Sequence, residues 1–293
     1  MKVPYSWLKD YVDINLPADE LAKKLFSCGF EVEEIIYLGN KINRVVVGEV
    51  KALTPHPDSD HMQICVVDCG EEYGRDLQIV TGAPNVYVGM RTPVALDNST
   101  VCETNPAQLE KNPDGVKKIK KGKLRGVESC GMLCSGEELG INEDFYEGAE
   151  VNGLLDLKGN PPLGEDIKKV VGLDDYIFDI SITANRPDCQ CVFGIAREVA
   201  AITKTPDISF EEYATKAAPI SVDVQAPDLC PRYIGRYVEG DEAGMKKQSP
   251  AWLRKRLALC GLRSISPVVD ITNFVLLELG QPMHSSASNE CIG

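Results

Sequence analysis

The chain begins with a helical pattern of apolar positions. Leu21, Leu25 and Phe26 recur at helical spacing and share one face, and Gly29 follows them as a stop signal. Ser6 stands in an earlier, shorter run and is a residue type that caps helices. We therefore expect two helices in the N-terminal stretch, followed by a strand that ends before residue 40.

From residue 44 onward the pattern changes to short runs rich in β-branched residues, separated by Pro, Gly, Asn and Asp. Five such runs within about 90 residues favour a small closed barrel, and an oligonucleotide-binding fold closes five strands in this way. The predicted strands cover 44–53, 62–69, 77–81, 91–96 and 117–125.

After these strands the chain returns to the mixture of helix and strand seen at its start. A Gly- and Pro-rich connection at 159–164 leads to a predicted strand at 176–182. A helix with one apolar stripe follows at 188–203, with Asp188 as its N-cap. We infer that both flanks form one small α+β domain and that the barrel is inserted into it.

A third region begins near residue 220. Alternating apolar residues predict one strand at 220–224 and a second at 233–238. Ser249 and Gly261 are the start and stop signals of a helix, and a further helix is predicted over 268–279.

The composition is that of an ordinary globular chain with an acidic balance. Its 293 residues are 43% hydrophobic and 26% charged, with a formal net charge of −13. This balance argues against a general nucleic-acid binder, because phosphate contacts need positive charge. The segment 117–125 is the exception, since it contains six cations and no acid. It is either a positive island for one partner or a solvated charged hairpin.

Signals for membranes, disulfides and metals are weak. No window of about 18 apolar residues occurs and the first residues lack a signal-peptide core, so we expect a cytoplasmic chain that binds no membrane. Eleven cysteines is an odd number at irregular spacings, which argues against a disulfide framework. The pairs Cys65/Cys69 and Cys130/Cys134 lack supporting histidines, so we expect buried thiols and no metal site.

Motifs in the predicted barrel resemble the tRNA-binding barrel shared by several aminoacyl-tRNA synthetases and by tRNA-binding cofactors. These motifs are TPHPDSD at 54–60, VVDCG at 66–70, TGAPN at 81–85 and LRGVESCGMLCS at 124–135. The flanks narrow the resemblance to the β subunits of bacterial phenylalanine–tRNA ligases. The flanking motifs are MKVPYSWLKDYVDI at 1–14, LAKKLFSCGFEVE at 21–33, TANRPDC at 183–189 and VVDITNFVLLELGQPMH at 268–284.

The resemblance implies a fragment of a much longer β subunit. In that family the β subunit pairs with a catalytic α subunit in an α₂β₂ assembly, which uses ATP and Mg²⁺ to attach phenylalanine to tRNA(Phe). The implied partners are therefore tRNA(Phe) and the α subunit. The fragment itself is expected to carry no cofactor and no aminoacylation site. Its tail at 285–293, SSASNECIG, departs from the family pattern.

Basic and polar residues of the barrel are the candidates for tRNA contact, because cations meet phosphates while amides and hydroxyls meet exposed nucleotides. These candidates are Asn85, Lys117, Lys118, Lys120, Lys121, Lys123, Arg125, Ser129 and Ser135. Aromatic residues for base stacking are sparse, and Tyr87 is the nearest.

A second site is suggested by the problem of telling phenylalanine from tyrosine. An apolar pocket rejects one extra hydroxyl by only about 10²-fold, so a hydrolytic editing pocket is useful. The resemblance implies that part of such a pocket lies here and that the rest lies beyond residue 284. The editing candidates that the resemblance implies are Arg263, Thr272, Asn273 and His284.

The predicted fold class is α+β with several domains: a five-stranded OB-fold barrel inserted into a small α+β domain, followed by the start of an α/β editing domain. The predicted domains are 1–39 with 154–205, 40–153, 215–284, and an atypical tail at 285–293. The leading function is the tRNA-binding part of a phenylalanine–tRNA ligase β subunit, inactive in aminoacylation alone. The alternative is a free-standing tRNA-binding protein. A metal-dependent or cysteine hydrolase is disfavoured, because no Cys/His pair has supporting spacing.

Overall fold

The computed structural model describes residues 1–205, 221–238, 240 and 242–286. The architecture is a mixed α and β fold with several antiparallel sheets. The strands in chain order are β1 (Lys2–Pro4), β2 (Glu31–Tyr37), β3 (Asn43–Pro55), β4 (Gln63–Asp68), β5 (Leu77–Thr81), β6 (Arg91–Cys102), β7 (Val116–Lys118), β8 (Gly122–Leu124), β9 (Val127–Ser129), β10 (Gly131–Leu133) and β11 (Tyr176–Ser181). The α-helices are α1 (Tyr5–Lys9), α2 (Ala18–Ser27), α3 (Gly70–Tyr73), α4 (Pro106–Leu109), α5 (Ile167–Val171), α6 (Val192–Thr203), α7 (Glu242–Met245), α8 (Ala251–Leu259) and α9 (Pro267–Leu279).

A three-stranded sheet joins the two flanks of the chain in the order β1-β11-β2. Its central strand β11 pairs with the chain start, Lys2 opposite Asp179, and with β2, Tyr37 opposite Tyr176. Helices α1, α2 and α6 cover one face and bury a common apolar core. The largest fully buried members of this core are Trp7, Leu8, Leu21, Leu25, Phe178, Ile180 and Ile195.

Two details of the predicted N-terminal helices are wrong. Phe26 is 68% exposed, because α2 turns Leu21 and Leu25 into the core and leaves Phe26 beyond the edge of that face. Ser6 lies inside α1 and does not cap it. Its backbone N–H and its hydroxyl both donate to the Asp175 carboxylate, at 3.0 and 2.5 Å.

The second sheet has six strands, in the order β10-β6-β3-β4-β5 with β7 also paired to β6. The predicted strands at its centre are present, but the predicted closure into a barrel is not confirmed. Strands β5 and β10 stand at opposite ends of the hydrogen-bonded order among the described residues. Isolated bonds bring these ends together instead: Cys130 N–H donates to Gln78 O at 2.8 Å, and Val80 N–H donates to Ser129 Oγ at 3.1 Å.

The strand predicted at 117–125 is two strands, β7 and β8. Between them Ile119 turns inward and is only 7% exposed, and its backbone exchanges hydrogen bonds with Asn98 and Ser99. The Asp97 carboxylate then accepts the Lys121 backbone N–H at 2.7 Å. The Ile119 bonds continue the pairing with β6 by one residue, and beyond Lys121 the chain forms a separate hairpin.

The segment 154–173 packs on the six-stranded sheet. Its residues Leu155, Leu157 and Ile167 share one core with Val45 and Val47 of β3. Its backbone also bonds to the sheet, since Leu155 N–H donates to Cys134 O at 3.1 Å and Leu157 N–H donates to Arg91 O at 2.8 Å.

Helix α6 begins later than predicted, and Asp188 is not its N-cap. Cys191 occupies that position, and its Sγ accepts from Gly194 N–H at 3.3 Å. Asp188 lies in a preceding 3₁₀ turn, where its carboxylate accepts two hydrogen bonds from the Arg186 guanidinium. The Asp188 carboxylate therefore binds the Arg186 guanidinium two residues away and does not cap the helix.

The third region contains helices where they were predicted, but its predicted strands are wrong. Residue 220 lies outside the described residues, and the described stretches 221–224 and 233–238 are irregular. Ser249 does not cap α8; its hydroxyl donates to the buried Asp270 carboxylate at 2.5 Å. Ser266 caps α9, accepting from Val269 N–H at 3.5 Å.

Three consecutive cations of α8 reach three different parts of the molecule. Arg254, only 3% exposed, donates to Glu143 O at 2.5 Å and lies 3.7 Å from the Asp144 carboxylate. Lys255 donates to Val171 O at 2.9 Å. Burial lowers the pKa of Lys255.

The third cation, Arg256, connects α8 to the N-terminal core. It pairs with Asp10 and lies over the Trp7 ring, 5.0 Å from its centroid. From α9, Phe274 stacks on Trp7 at 5.2 Å. The α8–α9 pair is therefore docked on both the three-stranded sheet domain and the segment that follows the six-stranded sheet.

The described residues include no helix that is long and apolar enough to cross a membrane.

We propose that the inserted unit extends over 40–173 and not only over the expected 40–153, because 154–173 packs on the six-stranded sheet. A deletion tests this. Replacing 40–173 with a short Gly/Ser linker joins Gly39 to Asp174, next to the paired Tyr37 and Tyr176. Because the buried core of α1, α2, α6 and β11 stays intact, we expect a single cooperative unfolding transition in urea with native-like far-UV circular dichroism. A non-cooperative profile would show that the flanks need the insert in order to fold.

The second prediction concerns Arg254. Arg254→Met removes the charge partner of Asp144 and the donor to Glu143 O, leaving both partly desolvated. We expect a loss of about 2 kcal/mol in the free energy of unfolding. The control Arg197→Met changes the same residue type at an exposed position of α6 and should change stability by less than about 0.5 kcal/mol in the same urea titration.

Candidate nucleic-acid interface

A small hairpin carries the end of the basic run. Among the described residues, strands β8 and β9 pair only with each other, with Leu124 opposite Val127 and Gly122 opposite Ser129. The two-residue turn is Arg125–Gly126, with φ of 44° and 85°. Positive φ at both central residues is the geometry of a type I′ turn, which matches the twist of a two-stranded ribbon. Glycine meets this need at the second position at no steric cost.

The hairpin is attached to the rest of the protein by side-chain hydrogen bonds. His56 Nε2 lies 3.2 Å from Leu124 O. Arg125 Nη1 donates to Asp58 O at 3.1 Å, and Gln78 Nε2 donates to Glu128 O at 2.7 Å. Two residues of the loop between β3 and β4, and one residue of β5, therefore set the position of the hairpin.

The cations of the basic run fall into two groups. Lys117 lies 3.8 Å from the Glu138 carboxylate, and Lys121 lies 2.6 Å from that of Glu128. The hydrogen bond between Lys121 and Glu128 raises the pKa of the lysine and lowers the pKa of the glutamate. Both lysines are thus partly neutralised by a neighbouring acid.

The second group is exposed to solvent, although the charge of Lys123 also helps to lower the pKa of Glu128, which lies opposite it in the hairpin. Lys118, Lys120 and Lys123 are exposed, and within the described residues no ion pair joins them to a carboxylate. Arg125 is exposed at the hairpin turn and bonds only to a neutral carbonyl. The net positive charge of this surface therefore comes from Lys118, Lys120, Lys123 and Arg125, which we call the basic face.

The polar tRNA-binding candidates are engaged within the protein. The Asn85 amide exchanges two hydrogen bonds with the Leu154 backbone, at 2.8 and 2.9 Å. A Cβ on Gly153 would lie 2.1 Å from Asn85 Oδ1, so this contact also requires glycine at 153.

The two serine candidates are likewise engaged. Ser129 is 4% exposed, and its hydroxyl accepts from Val80 N–H and donates to Gly131 O at 2.9 Å. Ser135 and Glu138 form a reciprocal capping pair, in which Glu138 accepts from Ser135 N–H at 2.9 Å and donates its own N–H to Ser135 Oγ at 3.3 Å. The structure thus gives Asn85, Ser129 and Ser135 roles in holding the loops and strand ends of the sheet.

Tyr87 is 49% exposed, and its hydroxyl donates to Asp156 at 3.1 Å. It lines a shallow cavity of about 230 Å³ together with Val151 and Lys158. Its ring is thus available for stacking, although it does not belong to the hairpin.

The editing candidates lie in and around α9 and have no hydrogen bonds to one another among the described residues. Arg263 is exposed after α8, and His284 is exposed beyond α9. Thr272 and Asn273 are consecutive in α9, so they point about 100° apart. Thr272 Oγ1 donates to Val269 O at 2.8 Å, within its own helix. No hydrogen bond joins any two of these four among the residues described.

One group of potential metal ligands is occupied by an arginine. Asp188, Cys189 and Glu198 place ligand atoms within 4.8 Å of one another. Arg186 Nη2 donates to all three, at 2.9, 3.0 and 2.6 Å. Its hydrogen bond lowers the pKa of Asp188 to about 2, whereas burial raises the pKa of Cys189 to about 12. A neutral thiol and a guanidinium in the centre suit an internal ion pair rather than a cation site.

The buried cysteines behave as small apolar side chains. Cys65 and Cys69 are fully buried in the core of the six-stranded sheet. Burial raises the pKa of Cys65 to about 11 and that of Cys69 to about 12, so both thiols stay protonated at neutral pH. The cysteines within the described residues are free thiols.

Sequence reasoning missed His56 and Gln78, which position the hairpin without belonging to the basic run. A usable signal was present for His56. It stands between Pro55 and Pro57, where the backbone has little freedom and an imidazole is held in a defined direction.

Two family models match the chain. A model described as "Putative tRNA binding domain" matches residues 45–165, which contain the six-stranded sheet and the hairpin. A model described as "B3/4 domain" matches residues 229–286, which contain α8 and α9.

Curated relatives match almost the whole chain. The phenylalanine–tRNA ligase beta subunit of Clostridium acetobutylicum is 47% identical over 290 residues, which are 97% of this chain and 34% of the relative. The subunits so named from Moorella thermoacetica and Ralstonia nicotianae are 42% and 45% identical, again over 97% of this chain. This chain covers 34% and 33% of them.

Among solved structures, an RNA ligase of Naegleria gruberi is 15% identical and covers 49% of this chain and 36% of its own, with a TM-score of 0.29. A likeness at that level does not indicate a shared fold. The sequence relatives, and not the solved structure, identify the family. The chain spans about one third of the length of these relatives. The chain therefore belongs to the family of phenylalanine–tRNA ligase beta subunits.

Proposed function

We propose that this chain is the tRNA-holding part of the β subunit of a phenylalanine–tRNA ligase, and that the basic face makes the contact. The observation that carries the proposal is the position of the basic face. Its unpaired cations Lys118, Lys120 and Lys123 lie inside the segment that matches the tRNA-binding family model. On a chain of net charge −13, a local cluster of free cations selects where a polyanion binds.

The finer fold that goes with this role is an oligonucleotide-binding barrel. The hydrogen bonds of Cys130 N–H to Gln78 O and of Val80 N–H to Ser129 support it, since they draw the ends of the six-stranded sheet toward each other. An oligonucleotide-binding barrel is itself a partly open sheet. In this arrangement the loop after β3 and the β8–β9 hairpin would lie on the nucleic-acid side.

The proposed assembly is the two-subunit ligase. The β subunit would work with a catalytic α subunit in an α₂β₂ enzyme that uses ATP and Mg²⁺ to charge tRNA(Phe) in the cytoplasm. The names of the relatives support this assignment. The residues of this chain would bind and orient tRNA, while the activation of phenylalanine belongs to the partner subunit.

A free-standing tRNA-binding protein is the rival function. Such a protein needs only the segment matched at 45–165. The similarity to ligase subunits instead extends over 97% of the chain, and the docking of α8 and α9 on the N-terminal core ties the flanks together. Both observations favour the subunit.

An editing role is proposed for the region that contains α8 and α9. The match of residues 229–286 to the B3/4 family model supports it. The candidates are Arg263, Thr272, Asn273 and His284, which would orient the tRNA end, the ester and the attacking water.

The third prediction tests the basic face. Lys120→Glu with Lys123→Glu should weaken binding of tRNA by at least about tenfold for all tRNAs alike, because phosphate contacts carry no sequence information. The measurement is filter binding or fluorescence anisotropy with labelled tRNA. The control Lys23→Glu with Lys24→Glu makes the same charge change on the exposed side of α2 and should leave affinity nearly unchanged.

Salt dependence completes the same test. With two or three phosphate contacts on the basic face, affinity of the wild-type chain should fall about 10- to 40-fold between 50 and 200 mM salt. The double variant should show a shallower slope. The basic face would not be the binding surface if the wild-type affinity did not change with salt, or if the α2 control variant lost as much affinity for tRNA as the double variant.

The fourth prediction concerns editing. Ester hydrolysis needs the tRNA end, the aminoacyl group and a water in one geometry, and a shift of about 1 Å can cost about 10²-fold. Because Arg263 and His284 are exposed and no hydrogen bond joins the four candidates among the described residues, we expect the 293-residue chain not to release tyrosine from tyrosyl-tRNA(Phe) above background. The control is a full-length relative. Release by this chain that His284→Ala abolishes would show that the pocket is already complete.

A further inference from the structure

We propose that His56 is a positioning residue for the tRNA-binding surface, and that its neutral Nε2–H tautomer holds the β8–β9 hairpin in its binding orientation. This rests on the proposed function, because the basic face is taken as the surface that meets tRNA. His56 is not a cation in this arrangement and does not touch the nucleic acid itself.

The hydrogen-bond partners decide the tautomer. Asp58 N–H points at His56 Nδ1 at 3.1 Å, so Nδ1 must be the unprotonated acceptor. Leu124 O lies 3.2 Å from Nε2 and can only accept, so Nε2 must carry the proton. The ring is 4% exposed, and both nitrogens are thereby satisfied by backbone groups.

The two bonds have different consequences. The bond from Asp58 N–H is local and shapes the loop that follows β3, which the backbone bond from His56 N–H to Met62 O also closes. The bond to Leu124 O crosses to β8, 68 positions further along the chain. Of the two bonds that the His56 ring makes, only the bond to Leu124 O reaches the hairpin that carries Lys123 and Arg125.

The hairpin needs such a link because no strand of the six-stranded sheet pairs with β8 or β9 in the described structure. An isolated two-stranded hairpin is marginally stable in water. The attachments of His56, Arg125 and Gln78, together with the bond from Val80 N–H to Ser129 Oγ, therefore decide whether the cations are held in one arrangement or move among many. Fixing them before binding lowers the ordering cost of association.

His56 and Ser129 are buried, and of the two the His56 bond is the one that reaches β8, the strand that carries Lys123. Arg125 and Gln78 are exposed, so water competes for their bonds to Asp58 O and Glu128 O. The His56 side chain that donates the bond is 4% exposed, whereas Leu124 is 43% exposed, so the donor is fixed by the protein although the acceptor strand lies at the surface. We therefore assign the positioning of β8 to His56.

Two amide substitutions separate the two bonds. The amide of Asn ends near the position of imidazole Nδ1, so His56→Asn keeps the acceptor for Asp58 N–H and loses the donor to Leu124 O. The amide of Gln ends near the position of Nε2, so His56→Gln keeps the donor to Leu124 O. In the full chain with labelled tRNA as probe, we expect His56→Asn to weaken binding about fivefold to tenfold and His56→Gln to stay within about twofold of wild type.

The order of the two variants is the readout that a merely structural role would not produce. If His56 acted only by shaping its own loop, His56→Asn would be the milder change. That order, or two variants that both bind like wild type, would overturn the proposal. His61→Asn is the matched control, because His61 is exposed in the same loop and should bind like wild type.

Hydrogen exchange tests the link without tRNA. Amide protection in the β8–β9 hairpin should fall in His56→Asn and remain in His56→Gln, while protection of β3 and β4 stays the same in both. If the wild-type chain binds no tRNA, the proposed function fails, and this experiment still decides whether His56 positions the hairpin. Equal hairpin protection in both variants would overturn the positioning role.

The tautomer has its own spectroscopic signature, which does not depend on any variant folding. The chain has three histidines, so their imidazole ¹⁵N signals at neutral pH are few. We expect one ring with a pyridine-type Nδ1 and a pyrrole-type Nε2 that exchanges slowly with water. Finding all three rings charged, in fast exchange or in the opposite tautomer would overturn the proposal.

Discussion

The pairing of β11 with both β1 and β2 is the constraint on which the rest of the structure depends. It brings the chain start beside residues 176–181 and places Tyr37 next to Tyr176. The chain leaves this sheet after β2 and returns to it at β11, so everything between must form a unit whose two ends lie side by side. The six-stranded sheet meets that condition, because the stretch 154–173 runs back along it before β11 begins.

The α8–α9 pair depends on the same frame. Arg254, Lys255 and Arg256 diverge from one helix to the 143–144 loop, the end of α5 and the N-terminal core. Each cation has either an acidic partner or a carbonyl, as desolvated charges require. Helix α8 is thus held at three points, and the region proposed for editing is in direct contact with the 143–144 loop, α5 and the N-terminal core.

The charged side chains of the basic run fall into two groups, those that hold the fold and those that are exposed to a ligand. The chain is acidic overall, yet its basic run is not uniformly available. Glu138 and Glu128 engage Lys117 and Lys121, whereas the lysines at 118, 120 and 123 face solvent. The paired lysines fix the run against the protein. The exposed lysines would set the electrostatic potential at the surface proposed to bind a phosphate backbone.

Much of this was determined by the sequence alone. Strands β3, β4 and β5, the main helices, the basic run and the resemblance to a ligase subunit all follow from local patterns and motifs, which depend on neighbours a few positions apart. Only the tertiary structure decided the rest. Ser6 and Ser249 have the chemistry of helix caps, but they bond elsewhere because Asp175 and Asp270 lie within reach. The same reason separates the free lysines from the paired ones and gives His56 its role. A polar side chain takes the partner that folding brings nearest, and partners such as Asp175 for Ser6 or Leu124 for His56 lie 169 and 68 positions away.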